Sequence, residues 1–153
     1  MGQAGKLMGF MGAVTLIWMP IFGFILDKLN RVTGMALAML LAAIGYTSMG
    51  LISSPLDNAA LPAFAILAIG QGSAIIASVT LVGQEASPAE RGTVVATNGW
   101  FGAIGILIAA LLGGILFDRI SPAAPFVMIG VFQAGVFLFA VAVRIVAPGD
   151  MTR

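Results

Sequence analysis

The chain has 153 residues, 60% of them hydrophobic and 8% charged, with a net charge of +1, and its mean hydropathy of +1.10 exceeds what a water-soluble core of this size buries. The near-neutral balance, without any Lys/Arg-rich cluster, excludes the basic field that nucleic acid requires. The absence of Cys and His removes disulfides, the usual zinc and copper ligand sets and Cys or Ser-His-Asp nucleophiles, so no metal, no cofactor and no enzyme is expected.

Taken in chain order, Lys6 opens the first apolar run. That run is long enough to span, and no small-x-small cleavage pattern leads from it to a soluble domain, which makes it a retained helix and not a signal peptide. Residues 7–26, 33–53, 60–83, 93–117 and 124–147 each meet the requirement of about 20 apolar residues for crossing roughly 30 Å of hydrocarbon. A transmembrane β-barrel would alternate apolar and polar residues, whereas these runs are apolar on all sides and rich in Ala, Leu, Gly and Met. The predicted fold is therefore an all-α membrane protein, one transmembrane domain of five helices. The separators 27–31, 54–58, 84–91 and 118–122 are short, polar and mostly carry Pro. None is long enough for a second domain.

Lys28, Arg31, Arg91, Arg144 and Arg153 fall on one side of these spans, Lys6 and Arg119 on the other. Basic residues in short loops stay cytoplasmic, which places the C-terminus inside a cell (inner) membrane and the N-terminus outside. No Asp, Glu, Lys or Arg lies near the centre of a span, and Arg144 is near enough to an end to snorkel. Polar side chains far from the loops must face protein or water, so Gln71, Ser73, Asn98 and Gln133 are the clearest candidate cavity-lining residues, with Thr15, Trp18 and Tyr46 weaker. Each has interhelical hydrogen bonding as its plain alternative. Small residues recur at three- and four-residue spacing, most densely in the fourth span, where Gly102, Gly105, Gly113 and Gly114 are candidate helix-packing positions. The nine Met residues are read as packing filler. Gly70-Gln71-Gly72 is no phosphate loop, since no Lys-Ser/Thr follows it.

Gly23-Phe24-Ile25-Leu26-Asp27-Lys28-Leu29-Asn30-Arg31, between the first two spans, resembles the G-x-x-x-D-R/K-x-G-R motif of the major facilitator superfamily. Gly23, Asp27, Lys28 and Arg31 match; Asn30 stands where the family prefers Gly, and Asn tolerates the left-handed backbone a Gly would supply. Ser87-Pro88-Ala89-Glu90-Arg91-Gly92 is similar to the entry into the fifth helix of a six-helix half, and Gly113-Gly114-Ile115-Leu116-Phe117-Asp118-Arg119 with Pro125-Phe126 to its exit into the sixth.

The resemblance implies a partial half-bundle, helices two to six with the first helix of the half missing. The pattern Gly105, Ala109, Ala110, Gly113, Gly114, lacking Pro, fits the C-terminal half better than the N-terminal one. It further implies a secondary transporter moving a small solute by alternating access, whose partners are that solute, the lipid bilayer and the missing transporter half. Gly23, Asp27, Lys28 and Arg31 become a gating latch at the cytoplasmic surface, against the plain reading of an anchoring turn. By the same mapping Gln71 faces the cavity, Trp18 gains weight and Gln133 is structural, which leaves Trp18, Gln71, Ser73 and Asn98 as the cavity-lining candidates. The alternative function is a small helical membrane scaffold or assembly subunit without transport activity.

Overall fold

A computed structural model describes residues 2–52 and 60–146, apart from the side chains of Gln3 and Glu85. The predicted 54–58 loop, the final residues of the second and fifth predicted spans, and Arg153 lie outside them. The chain is all-helical across the described residues: α1 (Gln3–Leu26), α2 (Arg31–Ser48) with a short 3-10 turn at Met49–Leu51, α3 (Leu61–Glu85), α4 (Arg91–Arg119) and α5 (Ala124–Val146). All five α-helices are long and apolar enough to cross a membrane, which is where a helix, by satisfying its own backbone, is one of the few stable choices.

Local sequence sets the ends. Asn30 accepts a 3.0 Å hydrogen bond from the Val32 amide and so caps α2. Its backbone is extended, with φ −58° and ψ 140°, and no described residue has a positive φ. The expectation that Asn30 replaces Gly in a left-handed turn is thereby corrected: the residue is chosen by its side-chain oxygen. Pro62 occupies the first turn of α3, where a missing N–H costs nothing. At the other end of the bundle the Leu116 carbonyl accepts from both Ile120 and Ser121, closing α4, and Ser121 accepts from Ala124 to open α5.

Packing centres on α2, which buries Gly34, Ala36, Ala38, Met39, Ala42, Ala43 and Gly45. It lies antiparallel to α3 and to α5, and small residues decide how close it comes. A Cβ on Gly45 would sit 2.7 Å from the Ile66 carbonyl oxygen. One on Gly70 would meet the Leu41 carbonyl oxygen and, at 2.7 Å, the Ala42 Cα. One on Gly130 of α5 would lie 2.9 Å from the Thr47 amide nitrogen. These are backbone-to-backbone approaches, the contact that holds helices together where lipid offers no hydrophobic drive. Thr47, Ser48 and Ser78 turn their hydroxyls back onto the Ala43, Gly45 and Ala74 carbonyls of their own helices, which satisfies them inside the spans.

The α1 helix runs parallel to α3 and rests on it, with Thr15 Cγ2 3.5 Å from where a Gly72 Cβ would be. Phe22, fully buried, joins Ala38 of α2 and Ala77 of α3 in a cluster near the turn at residues 27–30. The α4 helix differs from all the others: it buries no residue. Its positions 91–103 are exposed on every side, and only Ile104, Ala109, Gly113 and Leu116 are half-covered. It touches α5 at its far end, where Gly113 faces Pro125 Cβ at 3.6 Å.

Candidate functional site

The up-and-down course of the helices gathers Lys28, Arg31, Arg91 and Arg144 at one end of the bundle and leaves Lys6 and Arg119 at the other. At the first end the Gly23–Arg31 segment forms a hairpin between α1 and α2. Asp27 is the C-terminal cap residue of α1, and its amide bonds back to the Gly23 carbonyl at 3.1 Å. Its side chain and that of Lys28 are exposed. Lys28 bends back so that its ammonium stands 4.1 Å from the centre of the Phe24 ring, a cation–π contact one helical turn away. Gly23 has nothing within 4 Å of its missing Cβ, so the motif glycine faces open space. Arg31 reaches into a crevice among α1, α2 and α3, beside Leu26, Met35, Thr80 and Gln84.

Of the four residues predicted to line a cavity, the structure brings two together. Trp18 of α1 donates its indole N–H to the Ser73 hydroxyl of α3 at 2.8 Å, and Ser73 is completely buried. Trp18 stacks on Phe22, with ring centres 5.9 Å apart. This pair is an interhelical seam, the only polar tie between two otherwise apolar surfaces among the described hydrogen bonds. Gln71 is two residues from Ser73, hence about 200° around the helix, and is exposed. It shares its uncovered strip with Ile75 and Val79, which are 51% and 64% exposed. Asn98 is likewise exposed, on the bare half of α4. Gln133 and Tyr46 are half-buried.

The small residues of α4 also turn outward. Gly102, Gly105 and Gly114 have nothing within 4 Å, and Gly113 alone of the four has a neighbour. The glycines that carry the internal contacts are Gly45, Gly70 and Gly130. None of these three is among the packing positions expected in the fourth span, although Ala38, Ala42, Gly45 and Ser48 of α2, and Gly130 and Ala134 of α5, keep the same three- and four-residue spacing; which of these faces meets another helix is set by the assembly.

An all-helical membrane bundle with a charged hairpin of this spacing after its first helix defines a class of polytopic membrane protein. The sequence profile of the Major Facilitator Superfamily matches residues 1–153, and the chain belongs to that family. Magnetosome protein MamH of Paramagnetospirillum magneticum is 31% identical over 97% of this chain and 36% of its own length. Magnetosome protein MamZ from the same organism, and MamZ of Magnetospirillum gryphiswaldense, are each 27% identical over 90% of this chain and 21% of theirs. The chain thus spans about a third or less of the length of these relatives. No solved structure matches.

Proposed function

We propose that this chain is part of a secondary active transporter of the major facilitator type, and that Gln71 and Asn98 line its solute path. The observation that carries this is Gln71. It is the eleventh residue of α3, which puts it about 15 Å along the helix axis from the start, near mid-membrane depth. Its amide is exposed on a face that neither α1 nor α2 covers. An amide at that depth must meet protein or water, since hydrocarbon offers it no partner.

In this proposal the uncovered strip of α3 and the bare half of α4 face the rest of the transporter across a water-filled path, and the two parts rock about a midplane site. The path is uncharged on this side, so selectivity for charge and any proton coupling reside elsewhere in the assembled protein. The relatives named as magnetosome proteins support placing the transporter in a magnetosome membrane, with the hairpin end at the cytoplasmic face.

These 153 residues contain no Cys, so once any Cys in the rest of the longer protein is replaced by Ser, single reporters can be placed here. Single substitutions Gln71→Cys, Asn98→Cys and Ser73→Cys are introduced into the longest natural form of the protein in membrane vesicles and treated with a charged, membrane-impermeant thiol reagent. Cys at 71 and 98 should react, and Cys at the buried position 73 should not. Reaction of positions 71 and 98 only with a lipid-soluble maleimide would place them against lipid and remove the path.

A further inference from the structure

At the end of the bundle opposite the charged hairpin, α4 and α5 diverge from their connecting turn and leave a groove of about 560 Å³. Its walls are Leu112, Ile115 and Leu116 of α4, Val127 and Met128 of α5, and Gly50 of the 3-10 turn after α2. From Ile120 at its mouth to Leu112 at its floor is eight residues of helix, about 12 Å, directed into the membrane. Apart from Ser121, the side chains that line the groove are apolar and offer no donor or acceptor to hold water.

The mouth differs in chemistry. Arg119 follows Ile115 by four residues, Leu116 by three and Leu112 by seven, so it stands on the groove face of α4, one position before the lining residues Ile120 and Ser121 and just outside the lining itself. Asp118 lies about 100° away around the helix, off that face. Both side chains are exposed. The half-buried Ser121, a groove residue itself, adds a hydroxyl beside Arg119. A cation and a hydroxyl at membrane-surface height above an apolar slot are complementary to one molecule on offer there: a phospholipid, phosphate outside and acyl chain within.

We propose that this groove is a binding site for one anionic phospholipid, its phosphate on Arg119 and Ser121 and one acyl chain along Leu112, Ile115 and Leu116. The proposal rests on the membrane-spanning fold and not on transport. Anionic headgroups are selected over zwitterionic ones because the Arg119 charge is unmatched by a carboxylate on its own face.

The test uses the purified chain, delipidated in detergent and then titrated with dioleoylphosphatidylglycerol or dioleoylphosphatidylcholine, with bound lipid counted by native mass spectrometry. One phosphatidylglycerol per chain should be retained, about fivefold more tightly than phosphatidylcholine, as one basic residue near the membrane surface supports. Arg119→Gln should abolish the headgroup preference while leaving the acyl chain bound. Leu116→Trp should displace both lipids by filling the slot. Asp118→Asn should leave the preference intact or raise it. Equal retention of the two lipids by the natural chain, or a preference unchanged in Arg119→Gln, would overturn the proposal. So would lipid lost only as two chains associate, which would assign the groove to a second copy. Arg119 is exposed, so its substitution reads binding and not folding.

Discussion

At the scale of single residues, the bundle is decided by where a side chain is absent. Gly70 sits against the Leu41 carbonyl and Ala42 Cα, so an added methyl has backbone and not a flexible side chain to displace. Gly70→Ala should destabilise the purified chain by about 1–3 kcal/mol, the usual penalty of overpacking. Gly102→Ala and Gly105→Ala, whose missing Cβ atoms face open space, should leave the stability of the same polypeptide within about 0.5 kcal/mol. Unfolding in mixed micelles, followed by far-ultraviolet circular dichroism, separates the two groups. Equal losses at all three positions would mean that α4 packs internally after all. The Trp18–Ser73 bond adds less: interhelical hydrogen bonds in membranes average about 0.6 kcal/mol. Its value is in register, because it fixes one rotation of α1 on α3 and thereby the direction in which Gln71 points.

At the scale of elements, each helix is autonomous in backbone bonding, so its ends are set locally. The Asn30 cap is the clearest case. Asn30→Ala should cost about 1 kcal/mol through loss of the Val32 N–H bond, and Asn30→Asp should retain most of it. Asn30→Gly should lose only a few tenths of a kcal/mol, since Gly is itself an acceptable N-cap. Hydrogen exchange at the Val32 amide reads the bond directly: exchange should quicken in the Ala and Gly variants, which lack the accepting oxygen, and change little in the Asp variant. A Gly variant more protected than the natural chain would restore the left-handed turn that the extended backbone excludes.

The five helices were legible from hydropathy because spanning a bilayer demands long apolar runs whatever the neighbours. The cap was not legible. The Gly-like position in the motif and the capping role of Asn call for the same residue for different backbone reasons, and only φ distinguishes them. Nor were Gly45 and Gly130. Their importance follows from α2 being the centre of the bundle, a fact of tertiary assembly that sequence spacing does not encode. The Trp18–Ser73 pair was legible as two polar residues inside spans. That they meet, while Gln71 two positions away does not join them, follows from the rotation of α3.

At the scale of the whole molecule, the cover is one-sided. The α2 helix is enclosed by α3 and α5 and shielded near the hairpin by Phe22, while α4 is exposed at every position from 91 to 103. In the proposed transporter, the exposed Asn and the outward glycines of α4 would meet other helices that approach closely and part again. The exposed Asp27 at the end of α1 stands at the same end of the bundle, where a carboxylate can accept from the free amides of another helix's N-terminus. If that contact forms only when the cytoplasmic ends are together, then Asp27→Asn removes stabilisation from the closed arrangement and little from the open one. Carboxylate-to-dipole contacts at exposed sites contribute about 0.3–1 kcal/mol. The open population should therefore rise roughly twofold to fivefold, since 1.4 kcal/mol is about tenfold in an equilibrium.

The Cys reporter at position 71 reads that shift. In the full-length protein its labelling rate from the cytoplasmic side should increase by the same factor in the Asp27→Asn background, with labelling at an external loop Cys unchanged. Lys28→Gln, which loses one positive charge and the contact with the Phe24 ring but leaves the carboxylate, should leave the labelling rate as it was. An unaltered rate in Asp27→Asn would make the hairpin a plain surface anchor, its charges there to hold the turn out of the hydrocarbon. A rise in both variants would point to a general loosening of the hairpin and not to a carboxylate latch, whereas a rise in one and a fall in the other would point to surface charge, because the two substitutions change the local charge in opposite directions.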